Sequence, residues 1–198
     1  MFSLKSVTTR STTQRAIIIH GYSATPSDHW FEWLAAALET NGTTAVTPAL
    51  PEPDAPDAAE WDVAVADAVG VPDQGTVIVA HSLGCLAVLR HLVARQDAWR
   101  LGSLVLVSGF LEPLPALPQL DAFISGSSRI SGIAERVDRL TVVRSDDDAY
   151  VPPGHTDRLA AKLGVTAHVL NGRGHFLADD GVTSLPEILS FVSTNSSA

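Results

Sequence analysis

Three short segments carry residue types that together could cleave an acyl bond. The first is Val79-Ala80-His81-Ser82-Leu83-Gly84. The second, RSDDDAYVP over 144–152, holds Asp146, Asp147 and Asp148. The third, NGRGHF over 171–176, holds His175. A serine hydroxyl is a poor nucleophile near neutral pH. It needs an imidazole to take its proton, and the imidazole needs a carboxylate to fix its tautomer. Serine, acid and histidine follow one another here in an order known to build such a triad. The expected chemistry is attack by Ser82 on a carbonyl, with His175 as base and an aspartate as orienter. The D-x-x-V-P spacing selects Asp148, with Asp147 next and Asp146 last. A calcium loop would need ligands at alternating positions, and the run lacks that pattern.

Ser82 lies between a β-branched run, 76–80 (TVIVA), and a helical stretch that starts without a gap. A turn that tight strains the serine and requires small residues two before and two after it. Ala80 and Gly84 stand there; glycine is more usual at the first position. The Leu83 backbone N–H, at the helix start, is placed to bind an oxyanion. The second donor is expected from the Tyr22 N–H, in the turn that Gly21 opens after the first strand. No G-x-G-x-x-G or G-x-x-x-x-G-K is present to make Gly21 part of a phosphate loop. Tyr22, Trp30, Phe110, Leu111, Phe123 and Phe176 are candidates for an apolar acyl pocket, and each could equally be core. His20 is expected to order the oxyanion loop, and His81 to point away from the base. His29, His91, His155 and His168 are expected at the surface or packing on helices.

The elements that must hold these residues show in the apolar pattern. Continuous β-branched runs mark strands buried on both faces: 16–20, 43–47, 76–80, 104–107, 140–144 and 167–170. Helical periodicity marks 27–41, with Ser27 as N-cap and Asn41-Gly42 as its stop, then 57–69, 83–95, 156–163 and 185–192. Strand and helix alternate about six times. That predicts a three-layer α/β/α domain with a mainly parallel six-stranded sheet. The domain is expected over 16–192, after a flexible tail at 1–15 and before a frayed end at 193–198. Residues 110–138, rich in proline, glycine and serine, break the rhythm and are expected to form a lid-like insertion.

The chain has 198 residues, 13 basic against 22 acidic, for a net charge of −9. Such a balance repels phosphate backbones and anionic lipid surfaces, so neither nucleic acid nor membrane is an expected partner. No apolar run nears the roughly 20 residues that span a bilayer. The single cysteine, Cys85, rules out an internal disulfide and a thiolate metal cluster. Metal and cofactor are both expected to be absent, and the cytoplasm is the expected compartment. Nothing in the sequence sets the oligomeric state.

HGYSATPSDHWFEWL, AHSLGC, SDDDAYVP and GRGHF together resemble the small serine hydrolases of the retinoblastoma-binding protein 9 type, a compact branch of the α/β-hydrolase superfamily. The resemblance runs from about residue 16 to residue 192, and the tryptophan-bearing helix after the HG loop is its more specific link. It implies a trimmed α/β-hydrolase fold without a large cap, and Ser82, Asp148 and His175 as triad. It also implies activity on small esters or amides. The departures are Ala80 and the triple aspartate. The expected function is therefore a serine hydrolase acting on small carboxylic esters or related acyl compounds through an acyl-enzyme. Amidase, thioesterase and lactonase chemistry use the same triad. A fold-only binding or scaffold protein is the alternative from another class.

Overall fold

Alternate residues of the central strands turn to opposite faces, and each face meets its own apolar layer. In a computed structural model that describes residues 14–126 and 129–192, Ile17, Ile19, Ile78, Ala80, Leu104 and Leu106 join one core with Trp61, Val65, Leu86 and Leu159. Ile18, Val77, Val79, Val105 and Val107 join the other, with Trp30, Phe31, Leu34, Phe176 and Ile188. Burial on both sides is why these strands are apolar without alternation.

The strands are β1 (Arg15–Ile19), β2 (Thr44–Val46), β3 (Thr76–His81), β4 (Leu101–Val107), β5 (Val137–Arg144) and β6 (His168–Val169). They form one sheet in the order β2-β1-β3-β4-β5-β6, and every pairing is parallel. Around it lie α1 (Phe31–Thr40), α2 (Ala58–Val69), α3 (Leu83–Ala94), α4 (Asp121–Ile124), α5 (Pro153–Lys162) and α6 (Glu187–Val192). The expected three-layer architecture is present, with no large cap. The chain leaves β1 outward to β2 and returns to β3 on the other side, so the order reverses between β1 and β3. Ligands of open parallel sheets bind at the carboxyl ends of strands at such a switch point. Gly21 and Ser82 follow those two strand ends.

Some boundaries differ from expectation. Helix α1 begins at Phe31, not at 27, and Ser27 does not cap it. The Asp28 carboxylate accepts from the Thr25 N–H at 2.6 Å and from its hydroxyl at 2.9 Å, and His29 sits at φ 57°. That turn uses up the residues that would have been the first helical turn. Helix α2 does start where expected, because Asp57 accepts from the Ala59 and Glu60 N–H groups. Strand β4 starts three residues early, at Leu101. A Cβ at Gly102 would strike the Gln74 carbonyl oxygen, so the glycine permits the close approach there. Strand β5 also starts three residues early, at Val137, where the Asp138 carboxylate pairs with Arg100 and Gln74.

Segment 110–138 lies largely against the core. Phe110, Leu111, Leu114, Leu120, Phe123, Ile124, Ile130 and Ile133 are buried in the layer shared with α2 and α3. Of the tail expected at 1–15, residues 1–13 lie outside the described residues, as do 193–198 and Ser127 and Ser128 of the GSS patch, while Arg15, expected in the tail, opens β1. Among the described residues no helix is long and apolar enough to cross a membrane.

Candidate active site

Ser82 occupies the single residue between β3 and α3, with φ 53° and ψ −124°, a region costly for any residue with a Cβ. Its N–H bonds the Val107 carbonyl at 2.9 Å, which extends the β3–β4 ladder by one step and pins the turn. Close packing behind it explains the glycines. A Cβ at Gly84 would strike the His20 carbonyl oxygen and lie 2.8 Å from that of Ile19. A Cβ at Gly21 would lie 2.8 Å from the Ser82 Cβ, so the backbone after β1 runs directly beside the nucleophile candidate. Leu83 is the first residue of α3, where backbone N–H groups lack helical partners. Tyr22 is half-buried at the edge of the cleft described below.

The three segments singled out by residue type converge. Ser82 Oγ lies 2.9 Å from His175 Nε2, and His175 Nδ1 lies 2.7 Å from Asp148 Oδ2. The Asp148 carboxylate takes four donors. Its Oδ2 also accepts from the Ser108 hydroxyl at 2.8 Å. Its Oδ1 accepts from the Tyr150 N–H at 3.0 Å and the Val151 N–H at 2.8 Å. A carboxylate facing Nδ1 places the proton there, which leaves the Nε2 lone pair for the serine hydroxyl. All three side chains are buried or nearly so: Ser82 is 4% exposed, Asp148 7% and His175 6%.

The other two aspartates of the run serve the loop that carries the histidine. That loop has no helix or strand between β6 and residue 178, so its backbone N–H groups need other partners. Gly172 donates to Asp146 at 2.8 Å, Arg173 to the Ser145 hydroxyl oxygen at 3.0 Å and Gly174 to Asp147 at 2.8 Å. His175 and Leu177 donate to Asp180 at 2.7 and 3.1 Å. Phe176 donates to the Arg173 carbonyl, and Ala178 to His29 Nδ1. Seven consecutive N–H groups are thus accounted for, six by side chains. Two carbonyls of the loop are held by buried rings. His81 Nε2–H donates to the His175 carbonyl at 2.8 Å, and Trp30 Nε1–H to that of Phe176 at 3.1 Å.

The cleft above Ser82 has a volume of about 310 Å³ and is lined by Tyr22, Ser23, His29, His81, Ser82, Leu117, Tyr150, His175, Leu177 and Asp179. Of the expected pocket residues only Tyr22 is among them. Trp30, Phe110, Leu111, Phe123 and Phe176 are in the two cores, none more than 7% exposed. The reason is area: large apolar rings gain most from complete burial, and these sit on faces that the sheet covers. His81 also departs from expectation. Its ring centroid lies 4.9 Å from that of His175, and the strand pleat turns it into the layer with Trp30 and Phe31. His29, expected at the surface or on a helix, lines the cleft. Ser108, Asp180 and Tyr150 belong to the site and carried no expectation. Ser108, a serine closing an apolar strand at φ 49°, had a faint signal in the LVLVSG stretch. Asp180 had none.

Burial dominates the electrostatics on the elbow side. It holds the pKa values of His20 and His29 below the ordinary histidine value, and that of His81 well below. His20 accepts from the Leu50 N–H at Nε2, so its Nδ1 carries the proton toward the Gly21 carbonyl, 2.9 Å away. That bond steadies the turn before Tyr22, as expected of His20. The Ser145 hydroxyl and the Gly174 N–H hold the exposed Asp147 carboxyl below the usual range. Among the described residues no group of three His, Cys, Asp or Glu side chains could hold a metal ion.

Comparison with known proteins bears on the family and the fold. The chain is 38% identical over 174 residues to the protein YdeN of Bacillus subtilis (strain 168), spanning 88% of this chain and 92% of YdeN. The crystal structure of the B. subtilis ydeN gene product superposes with a TM-score of 0.86, covering 90% of this chain and 96% of that one. A protein from Xanthomonas campestris pv. campestris, described as a proposed hydrolase of the α/β superfamily, shares the fold at a TM-score of 0.62 and 17% identity, over 89% of this chain and 98% of that one. Est1E from Butyrivibrio proteoclasticus, with ferulic acid bound, shares it at 0.65 and 15%, over 90% and 89%. The serine hydrolase family profile matches residues 16–194, and the chain belongs to that family, on an α/β-hydrolase fold.

Proposed function

We propose that this hydrolase cleaves small carboxylic esters or related acyl compounds through an acyl-enzyme on Ser82. The observation that carries the reading is the unbroken line Ser82 Oγ, His175 Nε2, His175 Nδ1, Asp148 Oδ2, at 2.9 and 2.7 Å, opening on a cleft. His175 takes the Ser82 proton as Oγ attacks the carbonyl. Asp148 holds the imidazole in the correct tautomer and stabilises the imidazolium that forms. The Leu83 and Tyr22 N–H groups receive the oxyanion. His175 then protonates the leaving group, and water, activated by the same imidazole, releases the acid. The likeness to the retinoblastoma-binding protein 9 type hydrolases supports the same roles.

A cleft of about 310 Å³ is near the lower end for ligand sites, which favours short acyl groups. The free, buried Cys85 thiol suits a reducing compartment, and we place the enzyme in the cytoplasm. A fluorophosphonate probe should label the wild type and leave Ser82→Ala unlabelled. Folded wild type that refuses the probe would overturn the reading. A panel of p-nitrophenyl esters, anilides and thioesters of rising chain length separates the substrate classes. A preference for long chains would remove the short-acyl part.

A further inference from the structure

We infer that His81 is a positioning residue for this reaction: its ring N–H holds the His175 backbone carbonyl and thereby fixes the imidazole against Ser82. This rests on the triad reading above. His81 is the last residue of β3 and immediately precedes Ser82, so the strand pleat sends its side chain away from Ala80 and into the layer of α1. There its ring is 2% exposed, with centroids 6.0 Å from that of Trp30 and 5.8 Å from that of Phe31.

The bonding fixes the state of the ring. The His175 carbonyl can only accept, so Nε2 carries the proton. Nδ1 is buried and has no partner. Desolvation, reinforced by His175, His29 and His20 nearby, keeps the ring neutral. Packing alone does not call for histidine at this place. A phenylalanine would fill the same aromatic layer without burying an unmet lone pair, which is costly. What the histidine adds is a direct tie between the residue before the nucleophile and the residue that is the base. Any sliding of the base loop along the elbow must break that bond. A neutral ring also puts no like charge beside His175 when it becomes imidazolium, 4.9 Å away.

The test uses full-length protein as wild type, His81→Phe and His81→Gln. The first variant keeps the ring and removes the donor; the second keeps an N–H donor of similar reach and removes the ring. The readouts are kcat and KM on p-nitrophenyl acetate, the labelling rate of Ser82 by a fluorophosphonate, and the urea midpoint. In His81→Phe, kcat and labelling rate should fall about 30- to 100-fold with KM within about threefold, the expected result of a misplaced base. His81→Gln should recover to within about fivefold of wild type. Equal activity of His81→Phe and wild type overturns the inference, and so does a His81→Gln as slow as His81→Phe. If the phenylalanine form does not fold, His81→Met takes its place on the same criteria. Wild type that neither labels nor turns over defeats the hydrolase reading itself. Active wild type beside an equally fast His81→Phe defeats only the role of His81.

Discussion

The turn that carries Ser82 and the loop that carries His175 meet at 2.9 Å, yet they are held by different forces. The turn is a product of the sheet. Its neighbours are regular elements, its flanks are fully buried, and its shape follows from how near β1 and α3 approach at Gly84. The loop has no regular structure, and side chains answer its backbone groups one by one: Asp146, Asp147, Asp180 and Ser145 for the N–H groups, His81 and Trp30 for the carbonyls. Steric fit is hard to perturb locally without perturbing the whole fold. A set of separate polar bonds can lose one member and leave the rest standing.

Substitutions can break or sharpen this contrast. The largest effect belongs to the residue that orients His175 where the two regions meet. Asp148→Asn should lower kcat roughly 10,000-fold by favouring the wrong His175 tautomer, with the circular-dichroism spectrum unchanged. Next comes steric damage to the turn. Gly84→Ala drives a methyl into the backbone of β1 and should cost about 3 kcal/mol or more in urea unfolding, with loss of soluble protein. The loop offers a matched glycine, Gly174, at φ 51° with the Asp180 carboxyl against its missing Cβ. Gly174→Ala should cost only about 1–2 kcal/mol yet slow turnover more than it destabilises. Asp180→Ala, which strips the acceptor from the His175 and Leu177 N–H groups, should reduce kcat about 10- to 100-fold at a stability cost of about 1 kcal/mol. Equal stability losses for Gly84→Ala and Gly174→Ala would erase the contrast.

Acid should separate the two regions in a subtler way. His20, His29 and His81 have folded pKa values below the ordinary value near 6.5. As pH falls below about 6.5 the unfolded chain takes up protons that the folded one refuses. More protons on the unfolded state means stability drops as pH drops. Asp147 is also depressed, so its contribution is present above the ordinary aspartate value near 3.9 and fades as pH falls through the lower folded value. Melting temperature should therefore decline first between pH 7 and 5, from these histidines together with His91 and His155, which burial also depresses, and Asp147 should matter only below about pH 4. His81→Gln should flatten the first decline and leave the second. A melting curve that is level from pH 7 to 5 would contradict the assignment.

The same contrast governs what could be seen in the sequence. The strands were legible because burial on both faces leaves an unbroken run such as AIIIH or TVIVA, and the elbow was legible because sterics allow so few residues around Ser82. The triad order pointed to His175, and the D-x-x-V-P spacing to Asp148. The fastening of the His175 loop was not legible. Whether Asp146 meets Gly172, or Asp180 meets His175, depends on which way each peptide faces, and no spacing encodes that. Five of the six residues expected in the pocket lie in the core instead, for a related reason. Composition says that Trp30 and Phe176 are large and apolar but not which side of the sheet will cover them. Trp30 packs its ring in the aromatic layer and also holds the Phe176 carbonyl through its indole N–H.

One thiol lies beneath the elbow. Cys85 Sγ donates to the Ala80 carbonyl at 3.2 Å and is pressed close to Gly109. Burial pushes its pKa upward, so the reactive thiolate is suppressed while the helix stays seated. As the chain's only cysteine, it serves as a built-in clock for this junction. The rate at which a thiol reagent modifies it under native conditions counts the moments when α3 lifts from β3, a measure of breathing beside Ser82 that needs no substrate.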